Sequence, residues 1–141
     1  MDAPLVSANG IWYAYFTENS YPGDNLAHQL ELNAPGTYGN TTLFSDADGG
    51  VAMTHRSLVS VDVHAKCKHE VAIERALLVQ LDKGASGGLL ERGEANFVAG
   101  TGNSAYQGIL EAGHLVRAAV SAPGDKVEIT SGYISVIAQP V

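Results

Sequence analysis

Four potential metal ligands, His55, His64, Cys67 and His69, fall within fifteen residues of one another. A zinc site needs such groups to converge tetrahedrally. On an extended strand Cys67 and His69 share one face and His64 points away from both. His64-x-x-Cys67-x-His69 is no standard ligand spacing, and no second pair comes after it. The cluster therefore reads as a solvated strand end. Asp46-Ala-Asp-Gly49 resembles the opening of a calcium loop, but the twelfth position holds Ser57 where a bidentate Glu is needed. A turn is the better reading.

Gly100-Thr-Gly-Asn-Ser-Ala105 spells a dinucleotide fingerprint after the apolar Phe97-Val-Ala99. That chemistry needs a helix immediately afterwards, with its N-terminus on a pyrophosphate. The remaining residues, from Tyr106 onward, read as strands, so a loop is expected here. No serine is read as the nucleophile of a strand–turn–helix elbow. His28, His55, His64, His69 and His114 have no evident nucleophile to serve, and Glu70/Glu74 or Asp46/Asp48 are glycosidase pairs only by assertion. Asn40-Thr-Thr42 is a glycosylation sequon in spelling alone. No catalytic residue, no metal and no cofactor is expected, and the protein is read as not an enzyme.

The elements that would position any of these groups are strands. Ile11–Thr17 is a dense aromatic run of high β propensity holding the only Trp. Asn19–Asn25 and Ala34–Asn40 read as loops, with weak alternation from Ala27 to Leu32 between them. Thr41–Phe44 reads as a short strand before the turn at Asp46–Gly50. From Leu58 to Ala65 the period is two, with Val59, Val61, Val63 and Ala65 on one face and Ser60, Asp62 and His64 on the other. Val71–Leu81 fits a helix or a strand, and a strand over Arg75–Leu81 is favoured because its neighbours are strands. Gly84–Gly88 reads as a flexible loop and Glu94–Ala99 as another strand. The clearest alternation runs through Tyr106–Val120 and Val127–Ala138 around a Gly-containing turn. Short strands with turn signals at intervals indicate an all-β, antiparallel β-sandwich. With no internal repeat and no linker, residues 1–141 read as one domain, 1–10 being an N-terminal arm.

Charge narrows the partners. The 141 residues carry a formal charge of −7, and eight scattered Lys and Arg cannot track a phosphate backbone, which excludes nucleic acid. No apolar run approaches the length of a membrane span, and the start lacks the pattern of a signal peptide. Synthesis in a cytoplasm, with no membrane partner, is expected. The lone Cys67 rules out an internal disulfide and reads as a buried or idle thiol. Only 16% of residues are charged, against about 25% in ordinary domains. A surface so poor in charge suggests coverage by partner subunits. In the aromatic run, Trp12, Tyr13 and Tyr15 are the candidate anchors of a subunit contact, the alternative being a strand packed on the core.

From Phe44 onward the chain resembles the jelly roll of the tumour necrosis factor superfamily and complement globular heads. Phe44–Val51 followed by Leu58–Ala65 resembles the family's strand pair leading into a long central strand. Leu110-Glu-Ala-Gly-His-Leu-Val116 resembles its small-residue turn, with His114 where Asp is usual. Ser131-Gly-Tyr-Ile-Ser-Val136 resembles its final strand. The resemblance implies a jelly roll that forms a homo-oligomer, a trimer first and a dimer next.

An acidic jelly roll with a short arm is similar to the cement or decoration proteins of tailed bacteriophages. The expected role is a viral structural protein on the outside of the capsid, binding the major capsid protein at capsomer junctions. The alternative is a receptor- or carbohydrate-binding module of a fibre or tail tip, which places ligand-facing aromatics on loops, with Tyr21, Tyr38 and Tyr106 as candidates. A third class, a cupin-type enzyme, requires bound metal, yet the chain contains no His-x-His pair.

Overall fold

A computed structural model describes residues 8–68 and 76–141. Among the described residues twelve strands occur in order: β1 (Gly10–Phe16), β2 (Asn19–Tyr21), β3 (His28–Gln29), β4 (Leu32–Gly39), β5 (Phe44–Ala47) and β6 (Gly50–Met53) come first. The second half of the chain adds β7 (Ser57–Cys67), β8 (Ala76–Asp82), β9 (Leu89–Asn96), β10 (Thr101–Leu110), β11 (Leu115–Ser121) and β12 (Val127–Pro140). All pair antiparallel. One sheet, the first, has the order β10-β7-β12-β1-β4, with β2 added beside β12; the second has β5-β6-β11-β8-β9, with β3 added beside β11. This is an antiparallel β-sandwich, as the alternation in the sequence implies, and of the jelly-roll type that the resemblance implies.

The core lies between the sheets. Along β7, Val59, Val61, Val63 and Ala65 are all buried, while Ser60 and Asp62 face out. Each buried valine contributes about 1.5–3 kcal/mol relative to exposure. Ile134, Val136 and Ala138 of β12 and Trp12 and Ala14 of β1 complete that side. Leu77, Val79, Leu81, Val116, Ala118 and Val120 oppose them from the second sheet. Of the arm expected over residues 1–10, residues 1–7 lie outside the described residues. Ala8 and Asn9 are already held, their carbonyls accepting the side-chain and backbone N–H groups of Asn40 (3.0 and 2.9 Å).

Several readings of the sequence change, among them the strand expected over Glu94–Ala99, which is β9 over Leu89–Asn96. Ala34–Asn40, expected as a loop, is mostly strand β4, which tolerates Pro35 because it is an edge strand paired only to β1. Gly36 is needed there: a Cβ at that position would stand 2.5 Å from the Tyr13 hydroxyl, whose ring lies across β4. Thr41–Leu43 is a 3-10 turn rather than a strand, and the strand begins at Phe44. Gly100–Asn103 is not a loop, since β10 begins at Thr101. Within the expected loop Asn19–Asn25, the first three residues form β2. The strand expected over Arg75–Leu81 is β8 from Ala76, Arg75 lying outside the described residues.

Two tight turns, one closing a hairpin and one carrying the chain between the sheets, show opposite chemistry. β5 and β6 are joined through Asp48-Gly49, with Gly49 at φ 73°, the Asp-Gly combination that suits a two-residue turn. β9 and β10 are joined through Ala99-Gly100, bracketed by reciprocal backbone bonds between Val98 and Thr101 (2.8 and 3.0 Å). Ala99 sits at φ 50°, a conformation that costs a residue with a Cβ about 1–2 kcal/mol. Ala99→Asn creates the Asn-Gly pair that this turn type prefers. The expected gain is about 1 kcal/mol in urea unfolding; an unchanged midpoint would show that the turn is not strained.

Candidate functional site

The sequence motifs separate in space. Cys67 is buried among core residues, His64 faces the other way from the same strand, and His55 is an exposed residue bonded to Thr54 (2.8 Å). His69 lies outside the described residues, as do Glu70 and Glu74. Among the described residues no three acidic, His or Cys side chains gather as metal ligands. Asp46 and Asp48 belong to the β5–β6 hairpin, and Ser57 is buried at the start of β7. Gly100–Ala105 runs into strand β10, with no helix after it. Asn40 is engaged at both ends of its amide, the oxygen accepting the Thr42 hydroxyl (2.6 Å).

One pattern escaped the sequence reading: Gly84-Ala-Ser-Gly-Gly88 spells the Gly-x-Ser-x-Gly of a nucleophile elbow. Its structure does not carry that chemistry. The segment is a 3-10 turn joining the antiparallel strands β8 and β9, so the serine is not succeeded by a helix N-terminus.

The expected anchors divide. Trp12 is only 1% exposed and is a core residue, which corrects its reading as a surface anchor. Its Nε1 donates to Asp46 Oδ1 (2.8 Å), tying β1 of the first sheet to β5 of the second. Beside this bond a cleft of about 400 Å³ opens between β4 and β5, with Glu31, Pro35 and Asp48 among its walls. Tyr13 and Tyr15 alternate with Trp12 and so point outward, 37% and 54% exposed. Their rings meet edge to face, centroids 6.2 Å apart.

Strand register extends this pair into a continuous outer face on the first sheet. Tyr15 of β1 lies opposite Tyr133 of β12, which lies opposite His64 of β7, which lies opposite Asn103 of β10. The next row is Tyr13, Ser135, Asp62 and Ala105. The third is Tyr38, Ile11, Ile137, Ser60 and Gln107. Leu58 and Ile109 are paired beyond it. Tyr133 and Ile137 are 37% and 44% exposed. Cross-strand neighbours stand close enough for their side chains to form a single surface.

Charge is nearly absent from this face. β1, β4 and β10 contain no Asp, Glu, Lys, Arg or His. β12 has only Glu128, near its start and paired with Lys126 (3.4 Å). Asp62, His64 and Lys66 of β7 are the exceptions. Tyr133 donates its hydroxyl to Asp62 Oδ2 (3.3 Å), and the Asp62 charge beside it is the first cause holding that phenol above its usual range. His64 stacks on Tyr133 with ring centroids 5.7 Å apart and planes 24° apart. Its Nδ1 is 2.7 Å from Asn103 Oδ1. The face therefore carries exposed aromatic and apolar side chains among uncharged polar ones, with an ordered polar knot of Asp62, His64, Asn103 and Tyr133 near its middle.

The loop aromatics do not form a competing platform. Tyr21 is buried, its hydroxyl accepting the Glu31 amide hydrogen (2.8 Å), and burial pushes its phenol up. Tyr106 packs against the core. Only Tyr38 stands exposed, and it belongs to β4, in line with the outer face. His114 is also accounted for: it is buried, and its Nδ1 accepts the Glu111 amide hydrogen (3.0 Å) to close the turn before β11. A hydrogen-bond acceptor is what an Asp at this position offers as well.

The same fold recurs in solved structures. Murine APRIL at pH 8.0 superposes with a TM-score of 0.63 at 7% identity, over 92% of this chain and 98% of that one. The PRD1 vertex protein P5 gives 0.62 at 9% identity, over 94% and 97%. Eiger TNF from S. frugiperda gives 0.54 at 13%, over 92% of both chains. The chain has the jelly-roll fold of the tumour necrosis factor type. No protein-family model matches its sequence, and no curated protein matches it.

Proposed function

We propose that this chain is a non-enzymatic structural protein of a virion that self-associates through the outer face of its first sheet. In the fuller form of this reading it is a capsid cement or decoration protein. It sits on the outside of a bacteriophage shell at capsomer junctions, against the major capsid protein, and is made in the host cytoplasm. A homotrimer is the first expectation and a dimer the second, with Tyr13 and Tyr15 as contact residues.

The observation that carries the reading is the face itself. Three of its five strands lack any charged residue, and tyrosine and isoleucine side chains stand exposed in adjoining rows, among polar residues such as Ser60, Asp62, Asn103 and Gln107. Exposed aromatic and apolar surface of this kind marks an interaction site, and aromatics with few charges among them are the composition of a subunit interface. The likeness in fold to a vertex protein supports placing that assembly on a virion. The aromatic surface lies on strands rather than loops, which favours assembly over the recognition of a receptor or glycan.

Co-sedimentation with purified phage shells tests the capsid role. The reading expects saturable retention on shells, at a stoichiometry set by the shell's symmetry. Failure to sediment with shells, together with binding to glycans, would replace it with the recognition-module reading.

A further inference from the structure

We propose that His64 makes the self-association of this chain pH-sensitive, so that assemblies formed at neutral pH loosen on acidification. The inference rests on the self-association reading above and adds a regulatory group to the same face.

The position of His64 is unusual for a titratable side chain. The charged groups nearest to it on this face share its strand, Asp62 two residues before and Lys66 two residues after, while Glu128 stands near the start of β12. Across from it, β12 presents Tyr133, β10 presents Asn103, and Tyr15 of β1 lies beyond Tyr133. β4, at the edge, adds no charge. Lys66 is paired with Thr101 and Ser131, one step from the end of the β7–β12 ladder. That leaves Asp62 and His64 as the pair of charge-bearing side chains in the middle rows, among tyrosines.

Their contacts decide what protonation would meet. Asp62 is turned to the Tyr133 hydroxyl (3.3 Å) rather than to the imidazole. The Asn103 side-chain oxygen can only accept, so His64 Nδ1 carries the hydrogen of their 2.7 Å bond. Nε2 is then the atom that gains a proton, and the ring is held in place by its stack on Tyr133. Once a second copy covers the face, the imidazolium loses water without an anion in contact. Burial of that kind disfavours the charged form. Association therefore favours neutral His64 and releases protons. By linkage the contribution is fully present at high pH and is lost as pH falls through the imidazole range.

Sedimentation velocity at about pH 8 and about pH 5.5, spanning the imidazole range, tests this with wild type, His64→Gln and His55→Gln. Glutamine keeps a donor for Asn103 but cannot titrate; His55 is an exposed histidine off the face. Wild type and His55→Gln should dissociate with a Kd raised about tenfold or more at the lower pH, and His64→Gln should change less than about twofold. Calorimetry of wild-type dilution in two buffers of different ionisation heat needs no variant. It should show protons released on association as the pH is brought through the imidazole range. An oligomer equally tight at both pH values, or tighter in acid, overturns the switch and leaves self-association standing. So does full pH dependence in His64→Gln. A monomer at both pH values overturns the self-association reading and the switch together.

Discussion

Tyr15→Glu combined with Ile137→Lys should convert the associated protein into a folded monomer. Both side chains stand on the outer face of the first sheet, about half exposed, and neither belongs to the core. In the separate subunit the substitutions touch solvent, where changes stay within about 0.5 kcal/mol. At a covered interface each charge must be stripped of water without a partner, which costs several kcal/mol. The expected Kd increase is at least about a hundredfold. Circular dichroism and urea unfolding of the monomer should match wild type while the sedimenting mass falls. A double variant that associates like wild type would show that the contact lies elsewhere on the molecule.

Trp12→Ala should strongly destabilise the fold. Trp12 fills the core between the sheets, and removing a buried Trp costs about 3–5 kcal/mol in transfer and cavity terms. Its bond to Asp46 adds a second effect, because it joins β1 to β5 where the two edges β4 and β5 leave a cleft. Trp12→Phe separates the contributions: most of the volume remains, and the lost hydrogen bond to a carboxylate accounts for about 1.5–3 kcal/mol. Urea unfolding of the three proteins checks the order, wild type above Phe above Ala. An alanine variant close to wild type would mean that the tryptophan is not a core residue.

The contrast between these residues explains what the sequence revealed and what it hid. In Trp12-Tyr-Ala-Tyr15 all three aromatics look alike as interface anchors, yet strand parity sends Trp12 inward and both tyrosines outward. The parity was legible only once a neighbour fixed which face was buried. β7, β10, β11 and β12 were readable because one face of each meets the core and the other does not, for most of their length. β8 was ambiguous for the opposite reason: both its faces are buried, Leu77, Val79 and Leu81 in the core and Ala76, Leu78 and Gln80 behind them, so the period of two disappears. β4 was hidden by Pro35 and Gly36, which suit an edge strand lying under a tyrosine ring.

The candidate site was half legible. Low overall charge and the aromatic run pointed to an interface, and the outward tyrosines lie on the uncharged face. Tyr133, Ile137 and His64 joined that face only through register, since they are distant from Tyr15 in the chain and are aligned across three strands. The absence of Asp, Glu, Lys, Arg and His from β1, β4 and β10 is visible in the sequence, but β2 and β6 lack them too, so only the sheet order gathers those three on one face. Of the His55/His64/Cys67/His69 cluster, His69 lies outside the described residues and the other three do not gather as ligands. His64 and Cys67, three residues apart on one strand, face opposite sides, and only His64 reaches the surface that the proposal uses.

The native mass of the wild-type protein in solution, by sedimentation equilibrium or native mass spectrometry at neutral pH, tests the central claim most directly. The account predicts a closed homo-oligomer, a trimer first, at an integral multiple of the 14.7 kDa chain. A monomer of 14.7 kDa persisting at the highest concentrations measured would contradict it.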